Sequence, residues 1–102
     1  MNLNKYLVSQ RGESQNPYWL AERIKCVDGF SLSVQAHDGA YCVPRDGQAQ
    51  SWELVEVGFP SEKPEGIMQY CESPENPTET VYGYVPVELV EELIEHHGGQ
   101  AE

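Results

Sequence analysis

At 102 residues the chain is long enough for one domain and one modest core, and 39% apolar residues with two Trp, six Tyr and two Phe place it outside the disordered class. No stretch approaches the roughly 18 consecutive apolar residues of a membrane span, and Met1–Tyr6 carries no apolar run behind Lys5, so neither a membrane partner nor a secretory signal is expected. The net charge of −11 is unevenly spread: residues 1–50 hold five basic and five acidic groups, whereas residues 51–102 set Lys63 alone against twelve glutamates, a balance that disfavours direct nucleic-acid binding and favours basic surfaces.

In chain order, the first 16 residues are ambiguous, with Tyr6, Leu7 and Val8 suited to an edge strand. From residue 17 to 59 the pattern is that of a sheet. Three Asp-Gly pairs, Asp28-Gly29, Asp38-Gly39 and Asp46-Gly47, punctuate strand-like runs, and Asp-Gly is favoured where a type I′ turn needs positive φ at both central residues. Ile24 and Cys26 alternate with Arg23, Lys25 and Val27, and Phe30, Leu32, Val34 and Ala36 alternate with polar neighbours. Ala40–Val43 forms a short third run ended by Pro44, and Trp52–Phe59 a fourth. The apolar phase of that fourth run shifts between Leu54 and Val55, which predicts a bulge or a strand covered on both faces.

Residues 60–79 hold four prolines and five glutamates and read as an acidic loop, pinned by a short helical turn near Ile67–Cys71. Thr80–Val85 reads as a fifth strand, with Val81, Gly83 and Val85 on one side and Tyr82 and Tyr84 on the other. The clearest helix is Pro86–His97, with Pro86 suited to its first position, an apolar stripe of Leu89, Val90, Leu93, Ile94 and His97, and a Gly98-Gly99 stop. The expected fold is α+β: an antiparallel four- to five-stranded meander with the C-terminal helix packed on one face.

On that helix Glu88, Glu91, Glu92 and Glu95 follow i, i+3, i+4, i+7 spacing, so four carboxylates share the side opposite the apolar stripe with no interspersed lysine. A solvated outer face accounts for such a stripe, but a face shaped for stability alone would carry Lys or Arg to make i,i+4 pairs. With Glu53 and Glu56 these residues form the candidate partner-binding set. Cys26, Cys42 and Cys71 are an odd number at long spacings, which fits reduced thiols in the cytoplasm rather than a disulfide framework. No Cys-x-x-Cys or paired-His spacing suggests a metal, and no phosphate loop, nucleophile elbow or His-Glu-x-x-His marks an enzyme, so neither metal, cofactor nor catalytic activity is expected. Cys42 with His37 is the one pair that a tight turn would bring together as nucleophile and base. Trp19, Tyr41, Trp52 and Tyr84 fall on strand patterns and are assigned to the core.

Val34–Arg45 (VQAHDGAYCVPR) and Thr78–Gly98 (TETVYGYVPVELVEELIEHHG) resemble small proteins encoded by phages and bacterial mobile elements. In size and acidity the chain is similar to anti-CRISPR and other anti-defence proteins. That resemblance implies a stoichiometric inhibitor in the host cytoplasm, bound to a basic nucleic-acid channel of a defence complex as a DNA mimic or steric plug. The competing expectation is an accessory domain whose acidity serves solubility only.

Overall fold

The computed structural model describes all residues 1–102. Helix α1 (Leu3–Arg11) is followed by strands β1 (Ile24–Lys25), β2 (Ser31–Gln35) and β3 (Leu54–Gly58), a 3₁₀ turn (Met68–Tyr70), strand β4 (Val81–Pro86) and helix α2 (Val87–His96). The strands form one antiparallel sheet in the order β1-β2-β3-β4. This is the α+β meander with a C-terminal helix that the alternation pattern predicts.

Register explains which side chains reach the core. Ile24 lies opposite Leu32, Val34 opposite Val57, Val55 opposite Val85, and Val57 opposite Tyr82. Directly opposed residues share a face, and all of these are buried in one cluster of 22 residues that also takes in Leu3, Leu7, Trp52, Ile67, Val90 and Ile94. The bulge sits one strand later than expected. Opposite the single residue Glu56, β4 inserts two, Gly83 and Tyr84. The extra residue lets Tyr82 and Val85, three apart, both point into the core. Strict alternation puts Gly83 inward and Tyr82 outward, and the bulge overturns it.

Three further expectations are corrected. The N-terminal segment is a helix, not an edge strand: the Asn2 side chain caps it by accepting from the Lys5 N–H (2.9 Å), Gly12 closes it at φ 57°, and Leu3, Leu7 and Arg11 bury one face at i, i+4, i+8. Ala40–Val43 does not form a strand. It touches β3 through a single Val43–Leu54 bridge before Pro44, leaving four strands rather than five. Asp28-Gly29 does join β1 and β2, but through a three-residue loop: the Gly29 N–H donates to Cys26 O (3.0 Å), and only Gly29 is left-handed, at φ 97°. Asp38-Gly39 and Asp46-Gly47 lie in tight turns within the connection between β2 and β3.

Pro86 ends β4 and stands just before α2 rather than inside it, while the Val87 N–H donates to Glu53 O (3.0 Å). At the other end Gly98 (φ 91°) and Gly99 (φ 84°) return their N–H groups to Glu95 O and Ile94 O, a Schellman closure. The chain then runs along β1, where Ala101 N–H donates to Lys25 O (2.7 Å). No helix is long and apolar enough to cross a membrane.

Candidate functional site

A helix turns about 100° per residue, so Glu91, Glu95, Glu88 and Glu92 fan in that order across one side of α2. The two edges of the fan do different things. On one edge, Glu91 Oε2 accepts from the Leu3 N–H (2.9 Å) and Glu95 Oε1 meets the Met1 ammonium (3.0 Å). Both carboxylates are spent on the start of α1, where free amide donors and the positive end of the helix dipole attract them. The reading of four unpaired carboxylates therefore fails for this half.

The other edge is free. Glu88 and Glu92 are exposed and make no hydrogen bond or ion pair. Glu92 lines a shallow groove of about 240 Å³ with Leu89, Leu93 and His96 from α2 and Glu65 and Gly66 from the 60–79 loop. An adjoining recess of about 100 Å³ adds Glu62, Lys63 and His97. Glu65 lines both, with Glu92 in the groove and Glu62 in the recess, so the loop's acidity adjoins that of the helix. Lys63 reaches Glu65 at 3.6 Å with both side chains largely in water, so it offsets little of this charge.

His97 forms the floor beside this groove. Its ring stacks on Phe30 (centroids 4.0 Å apart, planes 12° apart), and its Nδ1 lies 2.7 Å from Asp28 Oδ2. Asp28 is held below the usual carboxylate range, first by the Phe30 N–H and then by His97. The contact ties the β1–β2 turn to the end of α2.

Of the other candidates, Glu53 is exposed and stands at the entrance to α2, where its carbonyl takes the Val87 N–H. Glu56 is half-buried and its Oε1 accepts from the Tyr41 N–H (3.0 Å), so it also holds the 40–43 segment. Cys42 and His37 lie close, but Cys42 Sγ donates to the His37 carbonyl (3.4 Å) while His37 Nδ1 accepts from the Gly39 N–H (3.0 Å). The Cys42 thiol also donates to the Pro44 carbonyl (3.4 Å), so it is engaged by backbone carbonyls rather than an imidazole nitrogen, and burial pushes its pKa up. No three His, Cys, Asp or Glu side chains converge on a point that would hold a metal ion.

The aromatic residues divide. Trp19 and Trp52 are buried as expected, but Tyr41 and Tyr84 are 37% and 43% exposed. Their rings lie 5.8 Å apart at 33° over a cleft of about 280 Å³ that Tyr70, Glu72 and Gly83 complete. Alternation already puts Tyr84 on the outer side with Tyr82, and the bulge turns only Tyr82 inward; assigning Tyr41 and Tyr84 to the core is what hid this cleft. Comparison of the chain with protein-family models, with curated proteins and with solved structures finds no match.

Proposed function

We propose that the protein is an acidic interaction module that docks onto a basic, nucleic-acid-binding surface of a protein or nucleoprotein complex and blocks it, in the manner of an anti-CRISPR inhibitor acting in the host cytoplasm. The observation that carries this reading is the one-sided charge: the net −11 arises wholly in residues 51–102, where Glu65 and Glu92 line one groove, Glu62 lines the adjoining recess, and Glu88 is exposed on the same helix as Glu92. Exposed Glu53 stands at the entrance to α2, where its carbonyl accepts from the Val87 N–H. Such a field speeds encounter with a cationic surface and disfavours nucleic acid itself.

The test is competition. A basic DNA-binding complex loaded with labelled DNA is titrated with the protein at several ionic strengths. Displacement that saturates near a fixed molar ratio and weakens steeply with salt is the expected result. Glu88→Gln with Glu92→Gln should slow association severalfold. Inhibition at strongly substoichiometric amounts would point to turnover instead, and equal behaviour of the double variant would reduce the acidic face to a solubilising surface.

A further inference from the structure

Tyr84 carries a bulky ring on a left-handed backbone, φ 55°, at a position next to a glycine and open to water. Glycine adopts that conformation freely, whereas a side chain there is strained. Nothing in the core requires the ring. Burial of Tyr82 and Val85 needs the extra residue of the bulge but not its identity. Backbone strain held in the folded state clusters at binding positions.

The neighbours indicate what is bound. The Tyr84 N–H donates to Tyr41 O (3.0 Å), which sets the two rings side by side, and a Cβ at Gly83 would sit 3.3 Å from Tyr41 Cβ, so a larger residue there would press Tyr41 aside. The bridge between Cys71 and Tyr82, with the Glu72 N–H on Val81 O (3.1 Å), fixes Tyr70 and Glu72 along the open side of β4. The result is a cleft with three phenol rings and one carboxylate. Phenol faces attract cations, and a carboxylate beside them supplies the countercharge. Tyr41 already carries one such contact inside the chain, with the Arg45 guanidinium 5.7 Å from its ring centroid. Arg45 is held by the Asp38 and Gly39 carbonyls and does not line the cleft.

We infer that the Tyr41–Tyr70–Tyr84 cleft, with Glu72 at its rim, is a receptor for an arginine side chain presented by a partner protein. The inference rests on the reading that the partner is basic, and it adds a short-range anchor to a long-range field. Planar guanidinium stacks on aromatic rings and pairs with a carboxylate at the same time, which a lysine ammonium does less well.

The test uses the intact protein, amide NMR and three capped tripeptides, Gly-Arg-Gly, Gly-Lys-Gly and the neutral citrulline analogue. The arginine peptide should shift the Gly83 and Tyr84 amides saturably, the lysine peptide more weakly, and the citrulline peptide not at all. Tyr84→Gly removes the ring and suits the left-handed backbone, so it should remain folded while weakening arginine binding about tenfold. Glu72→Gln should weaken it about threefold. Equal shifts from the citrulline peptide, or unchanged binding by Tyr84→Gly, would overturn the inference. Shifts confined to Glu92 and His96 would overturn the cleft and leave the acidic-face reading standing. Absence of any response to an oligoarginine peptide at low salt would overturn both.

Discussion

His37 shows how one side chain serves structure where its type suggests chemistry. Its Nδ1 accepts from the Gly39 N–H and so must be unprotonated, and desolvation lowers its pKa below the ordinary value near 6.5, outweighing the opposite pull of Glu56 and Asp38. The folded state then binds fewer protons at this site than the unfolded chain, so its contribution is complete above about pH 6.5 and is lost as pH falls through the folded pKa. His37→Asn keeps an acceptor for Gly39 and cannot titrate. Between about pH 7 and about pH 5 its unfolding midpoint in urea should fall less than that of the unmodified protein. Parallel curves would show that the imidazole is not held neutral. Arg11 is a parallel case on the cationic side. It is buried, and its Nη1 donates to the carbonyls of Gly47 (2.9 Å) and Ala49, with Trp19 Nε1 also on Gly47 O (2.8 Å). A charge that reads as surface in the sequence instead clamps the β2–β3 connection against α1.

At the scale of elements, α2 was the most legible part of the chain. Its apolar stripe, its acidic side and its glycine stop each point to the same helix, and Val90, Leu93 and Ile94 are buried as that stripe requires. What spacing alone did not reveal was a second helix at its side. α1 is short and polar, so its signal lay in Asn2, Gly12 and the Leu3–Leu7–Arg11 spacing rather than in hydrophobicity. The consequence is a division of labour within one row of glutamates. Glu88→Gln with Glu92→Gln should leave stability unchanged or slightly raised, because a like-charge i,i+4 pair is removed. Glu91→Gln with Glu95→Gln should cost about 1 kcal/mol, because charged acceptors at the start of α1 become neutral ones. Paired urea titrations separate the two. Equal effects would mean that the contacts to Leu3 and Met1 contribute nothing. The tyrosine cleft was illegible for a related reason: Tyr41, Tyr70 and Tyr84 come from three separate segments, and only the register of the 40–43 and 70–72 segments against β4 brings them together.

For the whole molecule the question is whether the acidity is a cost or a convenience. Acidic groups in residues 51–102 outnumber basic ones twelve to one, and few are neutralised internally. Glu95 pairs with the Met1 ammonium and Glu65 with Lys63, whereas Glu91 takes only a neutral backbone N–H. Close packing of like charges destabilises the compact state, and salt relieves it by shortening the screening length from about 10 Å at 0.1 M to about 3 Å at 1 M. The same salt weakens the exposed pairs, but these contribute little. Repulsion should therefore dominate, and raising NaCl across that range should stabilise the fold by about 1 kcal/mol in urea titrations, urea being uncharged. The Glu88→Gln, Glu92→Gln variant should gain less, since part of the repulsion around the Glu65–Glu92 groove is already gone. A protein that needs charge only to stay dissolved can intersperse lysines and avoid this penalty. Stability that rises with salt, in the same range where partner binding falls, would mark the groove as a surface whose repulsion is relieved by a cationic partner. Stability that is flat or falls with salt would mean that the carboxylates are far enough apart not to repel, and the acidic face would lose its argument as a binding surface.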